Sequence, residues 1–260
     1  MTKLEKLKAD LRGLGELAVA FSGGADSSLL LRAAHDVLGE RAIGITIRSP
    51  YMSSREIAEA VEFARIYGIR HEILELGVAE EIKDNPENRC YLCKKALFSW
   101  LIERARELGF SRVADGTNRD DLSEHRPGLK AKEELGVLSP LINLTKSEIR
   151  ELSRELSLPT AEKPSYACLL TRLPHGREID PHELNLIEAA ENLLIASGYA
   201  NVRARCDRKN IKLQMPFSSM QSFLNDAKFK SVIRQLVALG AADVTLDLKG
   251  LREDVLHERG

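Results

Sequence analysis

A short run rich in serine and glycine is the first part of the chain whose residue types could do chemistry. It lies between an apolar stretch and a helix-forming stretch and reads Ser22-Gly23-Gly24-Ala25-Asp26-Ser27-Ser28. Paired glycines let the backbone turn tightly and come close to a ligand, and the amides that open the next helix attract an anion. A carboxylate beside such an anion indicates bound Mg²⁺. The run therefore predicts a pyrophosphate site with Mg²⁺ at Asp26, and a tight turn without a ligand is the alternative.

Two other phosphate-binding motifs are absent from this sequence. There is no G-x-x-x-x-G-K-[ST] motif, which argues against simple transfer of a γ-phosphate. There is also no G-x-G-x-x-G motif, which argues against a bound dinucleotide. The run at 22–28 is therefore interpreted as a different kind of phosphate loop.

A second polar segment follows the strand that is predicted to open at residue 112. Its candidate nucleotide-binding residues are Asp115, Gly116, Thr117, Asn118 and Asp121. The carboxyl ends of the strands in a parallel sheet line the ligand crevice, so we expect these residues near the nucleotide. Arg126 could hold a phosphate or a substrate carboxylate through two hydrogen bonds, and Arg48, at the end of another predicted strand, is a further candidate. A polar turn is the alternative, because Asn, Asp and Gly are common in turns.

Three of the four cysteines have a spacing or a setting that suggests chemistry. Cys90 and Cys93 lie three residues apart on a predicted helix over 88–108, so they share one face of it. Cys168 lies in a long loop that could bring it to the other two. Three thiolates can hold a [4Fe–4S] cluster that keeps one iron open to sulfide, whereas structural zinc needs four ligands. Buried apolar thiols are the alternative, and Cys206 is assigned no role.

Helix-type and strand-type patterns alternate over the first part of the chain. This order predicts an α/β fold with an open parallel sheet and helices on both faces. After Pro181 the order changes to helix, two strands, helix and strand, which predicts a small α+β domain. We therefore expect a first domain over 1–178 and a second, for substrate binding or oligomerisation, over 179–260.

Local patterns set the expected ends of several helices. Ser53 with Glu56, and Thr145 with Glu148, form the capping-box pattern at two predicted helix starts. A single helix is predicted over 219–239.

Composition limits the class of protein and its partners. The 260 residues are 43% hydrophobic and 30% charged, with a formal net charge of −1. The chain can form a substantial core, and it lacks the global basic field that would indicate a nucleic-acid partner. No apolar run reaches the roughly 20 residues needed to cross a bilayer, and the N-terminus lacks the apolar core of a signal peptide. We expect a cytoplasmic homo-oligomer without a membrane partner.

The motifs in this order resemble a known family. The loop at 22–28 is similar to the PP-loop of the ATP pyrophosphatase superfamily, which has the adenine nucleotide alpha hydrolase-like fold and splits ATP between the α- and β-phosphates. D-G-T-N-R-D-D-L at 115–122, N-R-C-Y-L-C-K at 88–94 and P-S-Y-A-C-L-L-T-R at 164–172 add a resemblance to the LarE family. LarE proteins are ATP-dependent sulfur transferases that build the nickel-pincer nucleotide cofactor of lactate racemase. The resemblance is densest over about 15–180 and thins beyond it.

The resemblance implies a nucleotide substrate, pyridinium-3,5-biscarboxylate mononucleotide, and a reaction in two steps. ATP would adenylylate one carboxylate with release of pyrophosphate, and a sulfur nucleophile would then displace AMP to leave a thiocarboxylate. In one branch of the family, a cysteine that matches Cys168 gives up its own sulfur and becomes dehydroalanine. In the other branch, three cysteines hold a [4Fe–4S] cluster that relays sulfide. Because Cys90 and Cys93 accompany Cys168, the chain resembles the cluster branch, with sulfide or another sulfur donor as a partner.

The same resemblance implies roles for the loop and for two arginines. The phosphates of ATP and Mg²⁺ would be held by Ser22, Gly23, Gly24, Asp26, Ser27 and Ser28. Arg126 and Arg172 would stabilise the anionic substrate or the transition state, and Asp26 and Cys168 would take part in catalysis. The basic stretch 202–212 could contact a substrate phosphate or form a solvated charged strand.

Two other functions fit part of the sequence. A tRNA thiolase also resembles a PP-loop fold with three cysteines and a cluster. The basic stretch at 202–212 favours it, whereas the near-neutral charge argues against it. A non-catalytic nucleotide sensor is the second alternative, and the presence of Asp26 and three cysteines argues against it.

Overall fold

The chain divides into two compact units. A computed structural model describes residues 1–122, 127–164 and 166–251. The first unit consists of Met1–Ile82 and Glu87–Tyr166, and the second of Lys83–Pro86 and Ala167–Gly260, in which Leu251 is the last described residue. The predicted domain boundary between residues 178 and 179 stays a prediction.

Among its described residues, the first unit contains a parallel sheet of four strands. The strands are β1 (Leu17–Ala20), β2 (Ala42–Arg48), β3 (Arg70–Glu75) and β4 (Val113–Ala114). Their order across the sheet is β3-β2-β1-β4, and every pairing is parallel. The predicted parallel α/β sheet is therefore confirmed.

Helices of the first unit cover both faces of this sheet. They are α1 (Lys3–Leu14), α2 (Ala25–Leu38), α3 (Ser54–Tyr67), α4 (Arg89–Glu107), α5 (Pro127–Glu134) and α6 (Lys146–Glu155). Successive side chains of a strand point to opposite faces. Accordingly Leu17 and Val19 join one buried cluster with Leu29 of α2, while Ala18 joins another with Leu101 of α4.

The two predicted capping boxes have different outcomes. At the start of α6, Thr145 Oγ1 accepts from the Glu148 amide, and the Glu148 carboxylate accepts from the Thr145 amide. That box is confirmed. At the start of α3, Ser53 is the N-cap residue, but its side chain makes no capping hydrogen bond. The pattern thus located the helix start correctly but not the contacts of the cap.

The second unit contains a mixed sheet of three strands and three helices among its described residues. In chain order these are α7 (Pro181–Ala196), β5 (Arg203–Asp207), β6 (Asn210–Gln214), α8 (Phe217–Asn225), α9 (Phe229–Ala238) and β7 (Asp243–Leu246). Strand β6 is central; it pairs antiparallel with β5 and parallel with β7. The small α+β region predicted after Pro181 is present.

The single helix predicted over 219–239 is wrong, because the chain breaks at Asp226. This residue has an extended backbone, with φ −67° and ψ 133°. Its carboxylate accepts from the Lys228 amide at 2.7 Å and from the Tyr199 hydroxyl at 2.6 Å. A local bond from an Asp side chain to the backbone competes with the helix, so α8 and α9 form separately.

Each described helix is either too short or too polar to cross a lipid bilayer.

Candidate active site

The glycine-rich loop joins β1 to α2 in the first unit. Gly23 has φ +70°, a left-handed conformation that glycine adopts without strain. A Cβ on Gly23 would also lie 3.0 Å from the Cβ of Ala60 on α3, so the loop passes close to that helix. Gly24 is the N-cap of α2. The backbone therefore turns directly into a helix N-terminus, the arrangement that favours an anion.

The serines of the loop hold one another and the loop backbone. Ser22 and Ser27 hydroxyls lie 3.1 Å apart, and Ser27 Oγ accepts from the Ser22 amide at 3.3 Å. Ser27 Oγ also lies 3.3 Å from the Gly24 carbonyl, to which it donates. Ser28 is fully buried, and its hydroxyl has no hydrogen-bond partner among the described residues. An unpaired buried hydroxyl is costly, so this one fits a site that is completed by a ligand.

The segment after β4 packs directly on the start of α2. A Cβ on Gly116 would lie 2.9 Å from Asp26 Cβ and 2.9 Å from the Ser27 amide nitrogen. Asn118 Nδ2 donates to Asp26 Oδ1 at 3.4 Å. The two segments that the sequence predicted to share the nucleotide site therefore do meet, since parallel strands end at the same edge of a sheet.

We expect Gly116→Ala to lower the free energy of unfolding by about 1–3 kcal/mol, the usual cost of an added methyl in a tightly packed position. The displaced Asp26 should also weaken ATP binding. Chemical denaturation and calorimetric titration with ATP measure the two effects. The control is Gly13→Ala, because a Cβ there meets no atom within 4 Å and Gly13 lies inside α1. Equal results for the two variants would contradict the packing argument.

Asp115 is the centre of a buried polar cluster. Its carboxylate accepts from Lys132 Nζ, from Thr117 Oγ1 at 2.7 Å and from Ser139 Oγ at 2.9 Å. Burial acts to raise the pKa of Asp115, but the Lys132 ammonium and the bonds from Lys132 and Thr117 outweigh it, so the pKa lies below its ordinary value. The charged carboxylate thus ties the end of β4 to α5. Through these hydrogen bonds within the protein, Asp115 and Thr117 hold the segment that follows β4 in place.

Asn118 and Asp121 form a tight turn after that segment. Asn118 Oδ1 accepts from the amides of Asp120 at 2.9 Å and Asp121 at 3.2 Å, and Asp121 Oδ2 accepts from the Asn118 amide at 3.0 Å. Arg126 lies outside the described residues. Arg48 lies at the end of β2, where it pairs with Glu75 at 2.5 Å and is well exposed.

Two lysines at this site were not found from the sequence. Lys146, the first residue of α6, lies with its Nζ 2.5 Å from Asp26 Oδ2. Lys163 Nζ donates to the Gly23 carbonyl at 2.9 Å and pairs with Glu59 at 2.5 Å. A cation beside a phosphate loop favours the binding of an anion. A single lysine that is distant from the loop in sequence belongs to no local pattern that would reveal its position.

Cys90 and Cys93 both lie in the first turns of α4. Cys90 is exposed and Cys93 half-buried. The Cys93 sulfur lies 3.4 Å from the hydroxyl of Tyr51, a fully buried residue. Thiolates are the usual ligands of iron–sulfur clusters, so the donor type and accessibility fit such a group. Within the described ranges, no group of three or more His, Cys, Asp and Glu side chains is arranged to hold a metal ion.

Cys168 belongs to the second unit, where it precedes a 3-10 turn over Leu169–Arg172. The Cys168 carbonyl accepts from Thr171 Oγ1 at 2.9 Å, and the thiol is half-buried. Arg172 is 2% exposed; its guanidinium pairs with Glu191 at 2.8 Å and donates to the Ala167 carbonyl at 3.0 Å. Arg172 thus fixes the backbone beside Cys168. Its predicted contact with substrate stays a prediction.

Known proteins are similar to this chain over nearly its whole length. No family model matches the chain. An uncharacterized protein of Synechocystis sp. is 37% identical over 98% of this chain and 97% of its own. The pyridinium-3,5-bisthiocarboxylic acid mononucleotide synthase of Lactiplantibacillus plantarum, a LarE protein, is 33% identical over 99% of this chain and 94% of its own. This chain belongs to the LarE family.

As a LarE-family enzyme, the chain is an ATP-dependent sulfurtransferase with a PP-loop fold. The resemblance that the motifs indicated is therefore confirmed, while assignment to the three-cysteine branch stays a prediction. A tRNA-specific 2-thiouridylase of Caldanaerobacter subterraneus is 29% identical, but only over 56% of this chain and 52% of its own. Membership in the LarE family does not favour the two alternatives, a tRNA thiolase and a nucleotide sensor.

Proposed function

We propose that this LarE-family enzyme converts a carboxylate of pyridinium-3,5-biscarboxylate mononucleotide into a thiocarboxylate for the nickel-pincer cofactor. The observation that carries the proposal is the full-length similarity to a synthase named for the bisthiocarboxylic product. The phosphate loop beside Asp26 supports the use of ATP in the first step. Neither a bound nucleic acid nor a membrane is needed for this reaction.

In the first step, a carboxylate oxygen of the substrate attacks the α-phosphorus of ATP. The bond from that phosphorus to the bridging oxygen breaks, which gives an acyl adenylate and pyrophosphate. The amides at the start of α2 and the hydroxyls of Ser22 and Ser27 would stabilise the charge that develops on pyrophosphate. Asp26 would hold Mg²⁺, since Mg²⁺ prefers oxygen ligands and bridges to phosphates; bound there, it supplies neutralising charge.

In the second step, a sulfur nucleophile attacks the activated carbonyl carbon, and AMP leaves with the shared oxygen. Arg172 holds the backbone next to Cys168, so it positions the segment that supplies or binds the sulfur. In the cluster branch, Cys90, Cys93 and Cys168 would hold the [4Fe–4S] group, which would supply bound sulfide for this step. In the other branch, the Cys168 thiolate would displace AMP to form a thioester, and loss of its Cα proton with cleavage of its Cβ–S bond would leave the thiocarboxylate and a dehydroalanine at position 168.

Incubation of the enzyme with ATP and pyridinium-3,5-biscarboxylate mononucleotide tests the overall reaction. We expect AMP and pyrophosphate, together with a product whose mass shows one oxygen replaced by sulfur. Formation of ADP and phosphate, or no product from this substrate in the presence of a sulfide source, would contradict the proposal.

The iron content of protein purified without oxygen tests the cluster ligands. We expect about four irons per chain in the parent and few in Cys90→Ala. Cys206→Ala is the matched control, because burial raises the pKa of that thiol to about 11 and keeps it protonated. No iron in the parent, or equal iron in Cys90→Ala and the parent, would rule out the three-cysteine cluster.

A further inference from the structure

Lys146 forms an ion pair with the carboxylate that the proposed reaction needs for Mg²⁺. Its Nζ lies 2.5 Å from Asp26 Oδ2, and the two side chains are 26% and 25% exposed. The Lys146 amide also donates to Asp120 Oδ2 at 2.8 Å, which fixes the start of α6 beside the segment after β4. The position of the ammonium is therefore set by two independent contacts, one of the backbone and one of the side chain.

Asp26 Oδ2 cannot keep its full ion pair with the Lys146 ammonium and also bind Mg²⁺ closely, because the two cations compete for the same oxygen. When ATP brings Mg²⁺ to Asp26, Lys146 loses its partner while a polyphosphate arrives at the N-terminus of α2. An ammonium carries three donors and is a common partner of phosphate oxygens. One of those N–H groups donates to Asp26. The Lys146 side chain can therefore rotate to donate to the phosphates while α6 moves little.

Lys163 differs from Lys146 in how firmly it is held. It bridges the Gly23 carbonyl and the Glu59 carboxylate, and its side chain is only 11% exposed. Neither of these two partners is assigned to Mg²⁺, so Mg²⁺ bound at Asp26 would not compete with Lys163 for them. Lys163 therefore serves to fix the loop, and Lys146 is, of these two lysines, the one that can exchange its partner.

We propose that Lys146 is the counter-ion of Asp26 in the nucleotide-free enzyme and a ligand of the β- and γ-phosphates in the MgATP complex. This inference rests on the proposed use of ATP and deepens it, because it names a residue that distinguishes ATP from AMP. AMP lacks the β- and γ-phosphates, so it has nothing for Lys146 to bind.

Calorimetric titration of Lys146→Met with MgATP and with AMP tests the exchange. We expect the affinity for MgATP to fall about 30-fold, which corresponds to about 2 kcal/mol, and the affinity for AMP to stay unchanged. Lys146→Arg, which keeps the charge, should retain MgATP affinity to within a few-fold. If Lys146→Met is unstable, Lys146→Arg is the folded variant whose affinities are compared with those of the parent enzyme.

Lys8→Met is the matched control. Lys8 pairs with Asp36 at 2.7 Å, its side chain is also 26% exposed, and it lies on α1. We expect no change in either affinity for this variant. Equal losses for ATP and AMP in Lys146→Met, or no loss for ATP, would overturn the role of Lys146. Absence of ATP binding by the parent enzyme would instead overturn the proposed function.

Discussion

Cys168→Ala is expected to abolish sulfur transfer while pyrophosphate release continues. In both branches of the proposed mechanism, sulfur reaches the substrate through Cys168, either as the donor or as a cluster ligand. The loss should be about 1,000-fold or more, as is usual when a reacting group is removed. The first step uses the phosphate loop of the first unit, whereas Cys168 belongs to the second unit. Release of pyrophosphate and formation of thiocarboxylate are therefore measured separately on the same samples.

Cys206→Ala is the control for this experiment. Cys206 is buried in β5, and burial raises the pKa of its thiol to about 11, so it is a poor nucleophile at neutral pH. Both reactions should survive its replacement. Sulfur transfer by Cys168→Ala at the parent rate would contradict the account. So would an equal loss of pyrophosphate release, because the substitution would then act on the whole site.

Glu191→Gln is expected to lower the free energy of unfolding by about 3 kcal/mol. The Arg172 guanidinium is almost fully buried, and Glu191 is its carboxylate partner. Removal of that charge leaves the guanidinium buried without compensation, since its other acceptors among the described residues, the Ala167 and Cys168 carbonyls and the Thr171 hydroxyl, are neutral. Glu191 also accepts from the Ala204 amide at 3.0 Å, so the pair joins α7 to β5 and to the turn after Cys168. Chemical denaturation measures the loss.

Two further variants show whether the buried charge is the cause. Asp10→Asn removes the partner of Lys6 in an ion pair whose side chains are both 62% exposed, and it should leave stability nearly unchanged because water screens such pairs. The double variant Arg172→Met with Glu191→Leu removes both buried charges and should recover much of the loss. If Glu191→Gln is as stable as Asp10→Asn, the buried pair does not hold this part of the second unit.

The frame of the fold could be predicted from local patterns. The apolar run before the glycine loop forms β1, and the helical stretch after it forms α2. Strand and helix alternation is a property of neighbouring residues, so one sequence suffices to detect it. The break at Asp226 was missed because it depends on contacts of one carboxylate with the backbone and with Tyr199.

The candidate site could be predicted only where its residues are adjacent in sequence. The loop at 22–28 and the segment from Asp115 stand out by composition, and the sheet brings them together. Lys146 reaches Asp26 across 120 residues, and Lys163 reaches Gly23 across 140. No local pattern encodes such contacts. The motif that contains Arg172 likewise did not reveal its ion pair with Glu191 inside the second unit, and its role in stabilising the anionic substrate or the transition state stays a prediction.

The most direct test of adenylylation follows a carboxylate oxygen of the substrate into AMP. The substrate is prepared with ¹⁸O in its carboxylates and incubated with unlabelled ATP and a sulfide source, and the products are analysed by mass spectrometry. If a carboxylate oxygen attacks the α-phosphorus, one ¹⁸O must appear in AMP, and pyrophosphate must remain unlabelled. Thiocarboxylate formed with unlabelled AMP, or with ADP in place of AMP, would show that the carboxylate is not activated by adenylylation and would contradict the proposed function.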